Sequence, residues 1–366
     1  MAELRIEQLL REMVNRKASD LHLRVGVPPV YRINGALQRL FDVRIDSAMM
    51  DSFLDDIMNR DQKQRFEANK ECDFAVGARD MGRFRVNVFR QRGTIAVVIR
   101  HIKAVIPAFE DLHLPEVIRD LALTKRGLVL VTGTTGSGKS TTLASMIDYI
   151  NQKESVNVIT VEDPIEYLYR DNVAIISQRE IGVDTLSYAN ALRAALRQDP
   201  DVLLVGEIRD LETMQIALTA ADTGHMVFAT IHTTNAVETI HRILSMYPPH
   251  QHDEIRLLLA EVLVGIISLR LLPTKDGKGR VPAAEILVNT GAIKEYIQDK
   301  NKIDMVEQAV AEGHIQYHSQ TFDQALLELY QNEQISLETA MNAATNRDDF
   351  DLKIRGISGT SDRGWM

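Results

Sequence analysis

Leu128-Val129-Leu130-Val131-Thr132-Gly133-Thr134-Thr135-Gly136-Ser137-Gly138-Lys139-Ser140-Thr141 is the stretch on which the fold turns. An apolar run leads into a glycine-rich bend that satisfies G-x-x-x-x-G-K-[ST] in full, and a helix-forming stretch, 141–150, follows. The chemistry explains the residue types. Glycines let the backbone curl so that its N–H groups point inward at phosphate oxygens, and the following helix N-terminus adds partial positive charge. Lys139 would then bridge the β- and γ-phosphates of a nucleotide, and the Ser140 hydroxyl would ligate Mg²⁺. A chance glycine-rich turn would lack the flanking strand and helix. A dinucleotide-binding loop would lack the Lys139-Ser140 pair. Gly133, Thr134, Thr135, Gly136, Ser137, Gly138, Lys139, Ser140 and Thr141 are therefore the expected nucleotide-binding residues.

Outward from this loop, apolar runs alternate with helical stretches: 128–132, 156–161, 202–205 and 226–230. Apolar on both faces, they read as strands of a covered, mostly parallel sheet. Two of them end in acids. Val202-Leu203-Leu204-Val205-Gly206-Glu207 finishes in a carboxylate, and Val158-Ile159-Thr160-Val161 runs into Glu162-Asp163-Pro164. In open α/β sheets ligands bind at the carboxyl ends of the strands. The pair thus supplies a metal-side carboxylate and a base or water-orienting group. Past residue 288 the pattern is helical.

The N-terminal region has a different pattern. Residues 4–16 space Leu4, Ile6, Leu9, Leu10, Met13 and Val14 as an amphipathic helix. Residues 19–25 alternate as a strand, 30–35 as another entering an Asn34-Gly35 turn, 46–69 as a helix, and 74–76 and 82–102 as further strands. This is an α+β arrangement. A linker begins at Ile106-Pro107, and 112–123 reads as a connecting helix.

Composition excludes several classes. Cys72 is the only cysteine in 366 residues, so an intramolecular disulfide or a multi-cysteine zinc knuckle is impossible. The net charge of −9 gives no global attraction for nucleic acid. No signal-peptide pattern is seen. The most apolar stretch, 257–272, carries Glu261 and Arg270 and reads as a buried helix, not a membrane span.

The order of motifs resembles a known family. After Gly133–Thr141 come Glu162-Asp163-Pro164-Ile165-Glu166-Tyr167, then Gln178-Arg179-Glu180-Ile181-Gly182 and Leu196-Arg197-Gln198-Asp199-Pro200-Asp201. Gly206-Glu207-Ile208-Arg209-Asp210 and the run Thr223-Gly224-His225 through Thr230-Ile231-His232-Thr233 complete the set. This resembles the Walker A, Asp box, Walker B and His box of secretion-superfamily ATPases, and within them the PilT group of type IV pilus retraction motors. Ser19-Asp20-Leu21-His22-Leu23 and Gly82-Arg83-Phe84-Arg85-Val86-Asn87 extend the likeness to the N-terminal region.

The resemblance implies an α/β fold: a RecA-like P-loop domain with a mostly parallel sheet and C-terminal helices, 113–356, preceded by a smaller α+β, PAS-like domain, 1–104. A linker, 105–112, would act as hinge, and 357–366 would be a flexible tail. It implies a homohexameric ring with ATP bound between domains and completed by a neighbouring subunit. Glu162 would be general base and Glu207 the Mg²⁺ and water ligand; His225 and His232 would read the γ-phosphate. Arg83, Arg85 and Arg100 become candidates for an arginine that stabilises transferring phosphate from another domain or subunit. Their alternation equally fits the solvated face of a sheet.

Further implied are ATP hydrolysis coupled to retraction, a cytoplasmic location and an inner-membrane pilus platform protein as partner. Membrane contact would run through that partner, with no transmembrane segment and no direct nucleic acid. Assembly-type relatives carry an extra N-terminal domain and a tetracysteine insert; the start of this chain and its single cysteine favour retraction. One departure stands out. Ala292-Ile293-Lys294-Glu295-Tyr296-Ile297-Gln298-Asp299 occupies the place of the group's Ala-Ile-Arg-Asn-Leu-Ile-Arg-Glu signature. An accessory retraction paralogue therefore stays open, as does a type II secretion or DNA-uptake motor. A nucleic-acid-dependent ring ATPase is the alternative of another class.

Overall fold

The computed structural model describes residues 4–33, 35–102 and 105–355. Asn34 of the expected turn and the expected tail, 357–366, lie outside the described residues. The chain divides into two compact units, Met1–Val105 with Glu166–Leu168, and Ile106–Ile165 with Tyr169–Met366.

The first unit contains α1 (Ile6–Asn15), β1 (Asp20–Arg24), β2 (Val30–Ile33), β3 (Ala36–Arg39), α2 (Ser47–Ile57), α3 (Arg60–Asn69), β4 (Glu71–Ala78), β5 (Gly82–Gln91) and β6 (Thr94–Ile102). Its antiparallel sheet has the order β3-β2-β1-β6-β5-β4. Alternation on β5 sends Phe84, Val86 and Val88 into a core shared with Leu9, Met13 and Phe53 of the helices. The single helix expected over 46–69 is two. Asn59 accepts the N–H of Gln62 while the Gln62 side chain returns to the Asn59 N–H, so a second helix starts there.

The second unit begins with α4 (Val117–Ala122), β7 (Gly127–Thr132), α5 (Lys139–Lys153), β8 (Asn157–Glu162), β9 (Ile175–Glu180), α6 (Tyr188–Ala195), β10 (Val202–Val205), α7 (Leu211–Asp222) and β11 (Met226–Ile231). It continues with α8 (Ala236–Ser245), α9 (His252–Val262), β12 (Leu263–Pro273), β13 (Arg280–Val288), α10 (Gly291–Gln298), α11 (Val306–Glu312), α12 (His314–Tyr317), α13 (Phe322–Gln331), α14 (Leu337–Ala343) and α15 (Arg347–Ile354). The sheet order is β13-β12-β7-β11-β10-β8-β9, parallel throughout except for β13. Successive residues of β7 go to opposite faces. Leu128 and Leu130 pack with α6 to α9, Val129 and Val131 with α4 and α5. Both faces are covered, which is why the strands read as unbroken apolar runs.

Two sequence expectations are corrected here. The apolar stretch 257–272 is not one buried helix: α9 stops at Val262 and β12 takes over at Leu263. Periodicity does not separate a buried helix from a buried strand. Tertiary contact does, because Gly265 lies so close to β13 that a Cβ there would stand 2.9 Å from the Leu287 carbonyl oxygen. The connecting helix expected over 112–123 is a short 3₁₀ turn, Phe109–Leu112, followed by α4, with Pro115 between them. Strands β9 and β13 had no separate expectation. Among the described residues no helix is long and apolar enough to cross a membrane.

Candidate functional site

Strand register builds the site. Thr132 of β7 pairs with Ile231 of β11, and Val205 of β10 pairs with both Ala229 of β11 and Val161 of β8. The next residue on each strand, or the one after, therefore reaches the same sheet edge: Gly133, Glu162, Glu207 and His232. Residues separated by a hundred positions in sequence meet because parallel strands end together.

The loop after β7 turns on positive-φ glycines. Gly133 has φ of 136°, and a Cβ there would lie 2.5 Å from both the Leu269 carbonyl oxygen and Ser137 Oγ. Gly138 is the N-cap of α5, whose first-turn N–H groups have no intrahelical acceptor. Lys139 is buried; its Nζ donates to the carbonyls of Gly133 at 2.8 Å and Thr134 at 2.9 Å, which fixes the loop's curl. Thr132 Oγ1 and Ser137 Oγ are buried without a hydrogen-bond partner beside this bend. Polar atoms left over in a glycine cradle at a helix N-terminus suit a phosphate-bearing ligand.

Glu162 is buried at the end of β8, where Oε1 accepts from Thr160 Oγ1 at 2.7 Å and from Gln178 Nε2 at 3.3 Å. Across the strand gap, a Cβ on Gly206 would stand 3.2 Å from the Glu162 Cα. A Cβ at this position would be a tight fit, and the close approach brings the two acidic strand ends together. The turn after β10 is pinned from both sides: Gly206 N–H donates to Val161 at 2.8 Å, and Thr230 Oγ1 donates to the Gly206 carbonyl at 2.5 Å.

Glu207 is mostly buried and held by Arg209 at 2.6 Å and His232 Nε2 at 3.3 Å. Burial would raise its carboxyl, but Arg209, His232 and Lys139 outweigh this and hold it below the ordinary range. The carboxylate is thus held in its ionised form.

His225 precedes β11, and its carbonyl accepts the Gly127 N–H at 3.0 Å, where β7 begins. Six residues of strand lie between it and His232, a span of about 23 Å at ~3.3 Å per residue step. Its Nδ1 pairs with the Ala220 carbonyl at 2.9 Å, so it braces the turn after α7 and does not reach the phosphate loop of its own subunit.

Arg83, Arg85 and Arg100 occupy the face of the first unit's sheet opposite its core, with Arg85 and Arg100 paired in register. Arg100 Nε donates to Asp20 at 2.8 Å and Arg85 lies 3.7 Å from Asp73. Arg83 is half-buried.

Tyr188 had no sequence signal. Its hydroxyl would stand 3.0 Å from a Cβ on Gly206, and the charges of Asp163, Arg209, Glu207 and Glu162 all act on it. Arg209 stood inside a quoted motif without an assigned role. Only the packing of α6 over the β8–β10 strand ends reveals Tyr188, although strand-end adjacency in a parallel sheet could have flagged Arg209.

A phosphate loop following an interior strand of a covered, mostly parallel sheet, with acids ending two further strands of that sheet, defines a P-loop nucleotide-binding protein. The chain belongs to the type II/IV secretion system protein family, whose model matches residues 1–351. It is 41% identical to the type IV pilus ATPase PilU of Pseudomonas aeruginosa over 352 residues, covering 96% of this chain and 92% of that protein. Its identity to the same organism's retraction ATPase PilT is also 41%, over 345 residues, covering 94% and 99%. A crystal structure of the pilus retraction motor PilT with bound ADP superposes with a TM-score of 0.88 at 47% identity, covering 94% of this chain and 98% of that one.

Proposed function

We infer that this chain is an ATP-hydrolysing motor that powers type IV pilus retraction. The observation that carries it is the convergence of Gly133–Thr141, Glu162, Glu207 and His232 on one sheet edge, in a chain similar along almost its whole length to PilT and PilU.

ATP is cradled by the loop amides and by Lys139. Ser140 and Glu207 would hold a Mg²⁺ ion, which neutralises phosphate charge. Glu162, oriented by Thr160 and Gln178, takes a proton from the attacking water. His232 reads the γ-phosphate from its place against Glu207, and one of Arg83, Arg85 and Arg100 supplies positive charge in trans. We place the chain in a homohexamer at the cytoplasmic side of the inner membrane, acting on a pilus platform protein through protein contact. The two domains, 1–104 and 113–356, would move about the linker 105–112.

A second reading, an accessory retraction paralogue, is favoured by α10. Two of the positions that depart from the retraction signature engage the chain's own groups: Lys294 donates to Glu261 at 3.1 Å, and Glu295 pairs with Lys302. Steady-state ATPase assays on the wild type and Glu207→Ala test the enzyme, and equal rates would refute it. Deleting the gene tests the task. Accumulated surface pili with lost twitching support a main retraction motor, whereas retained twitching that weakens only under load supports the accessory role.

A further inference from the structure

Glu285 on β13 is an almost fully buried carboxylate that the site described above does not use. Its Oε1 accepts the Ala236 N–H at 2.6 Å and the Ser268 hydroxyl at 3.1 Å. Each partner leads to a different part of the nucleotide site. Ser268 pairs in register with Thr132, the residue before Gly133, and the adjacent Leu269 carbonyl oxygen would lie 2.5 Å from a Cβ placed on Gly133. Ala236 is the first residue of α8, four positions after His232.

The intervening loop is stiff. Thr233 Oγ1 meets Thr239 Oγ1 at 2.7 Å, Asn235 caps the Glu238 N–H at 2.8 Å, and the Glu238 carboxylate returns to the Thr234 N–H at 2.8 Å. Those bonds stay within α8 and its cap. The Glu285 bond crosses from α8 to another strand.

We propose that Glu285 is a positioning residue for His232: anchored by Ser268 beside the phosphate-loop strand, its carboxylate grips the start of α8 and sets where the His232 loop stands relative to Gly133. This rests on the reading that His232 acts at the γ-phosphate.

The grip depends on charge. Burial pushes the Glu285 carboxyl up to about 7, with Glu307 adding to the rise, while Ala236 N–H, Ser268 and Arg270 oppose it. Glu238 and His241 of α8, Asp304 and Glu307 line the adjoining cavity of about 430 Å³. An ionised acceptor makes the stronger bond to an N–H at a helix N-terminus. The grip therefore tightens as pH rises through neutrality.

The test is kcat and KM for ATP of the full-length wild type, Glu285→Gln, His232→Ala and the double variant at about pH 6 and about pH 8, with thermal unfolding of each. Glu285→Gln is expected to lose about ten-fold in kcat at the higher pH with KM little changed, and to converge on the wild type at the lower pH. Its stability at the higher pH should equal or exceed that of the wild type, because a buried charge is gone. The double variant should match His232→Ala alone, since one residue acts through the other.

Wild-type turnover in Glu285→Gln, multiplying losses in the double variant, or activity and stability falling together would each overturn the proposal. Unchanged turnover in His232→Ala would instead overturn the His232 reading and the proposal with it. If Glu285→Gln does not fold, Ser268→Ala takes its place. It should lower kcat about three-fold without moving KM, and an unchanged kcat refutes the idea.

Discussion

Glu207 and His232 face each other across the ends of two parallel strands, with Oε1 3.3 Å from Nε2, while Arg209 holds the other carboxylate oxygen at 2.6 Å. One acid is gripped by two cationic or proton-bearing groups at the point where β10 and β11 leave the sheet. Glu207→Gln should lower ATP turnover by about 10²–10³ with the fold intact. Single-turnover hydrolysis alongside ADP binding would check it, and a loss confined to binding would contradict the assignment.

Arg209 helps to keep the Glu207 carboxyl below its usual range, so Arg209→Ala should let that value rise. A lowered carboxyl contributes stability above the ordinary Glu range and loses it as pH falls through the lowered value. The acid limb of kcat/KM is therefore expected to move to higher pH in Arg209→Ala. A pH–rate profile superimposable on the wild type would rule this out.

Gly133→Ala should abolish nucleotide binding. The new Cβ would meet backbone of β12 at 2.5 Å in a left-handed conformation, so strain and clash together cost about 2–3 kcal/mol. Calorimetric titration with ADP and thermal unfolding should show lost binding and a lowered Tm. Retained affinity would mean the loop tolerates another path.

Tyr188→Phe removes one hydroxyl from among the acids. Burial, then Asp163, Glu207 and Glu162, push this phenol far up against the opposing pull of Arg209, so it stays a neutral O–H donor. Turnover should fall about three- to ten-fold with KM and Tm nearly unchanged. No change in kcat would leave the hydroxyl without a part in hydrolysis.

Arg100→Ala should destabilise the first unit at neutral pH. Burial would raise the Asp20 carboxyl, but Ser19 and Arg100 outweigh it and hold it low. Its stabilisation is present above the ordinary Asp range and fades as pH falls through the lowered value. Because Arg100 is largely exposed, screening limits the loss to about 1 kcal/mol. Denaturant midpoints against pH would check it: a difference that persists undiminished in acid would point away from this pair.

The phosphate loop was legible because its chemistry is local: glycine freedom, a lysine and a hydroxyl within nine consecutive residues. The acidic strand ends were legible for a related reason, since a strand's carboxyl end can be read from where its apolar run stops. His225 stands apart from His232 because their motif spans a whole strand, and the two ends of a strand lie on opposite edges of the sheet. The run 257–272 misled because an apolar stretch buried on both faces has no periodicity to read.

By itself the sequence determined the fold class, the phosphate loop, the acids that follow strands and the family to which the chain belongs. These rest on short-range patterns, each set within one strand, turn or helix. The tertiary structure alone decided which distant side chains meet at that edge. Register placed Glu162 beside Gly206 and His232 beside Glu207, and packing brought Tyr188 over them. It also tied Glu285, through Ser268, to the strand that carries the loop. Side-chain contact between separate strands and helices depends on sheet order and burial, which no local stretch of sequence encodes.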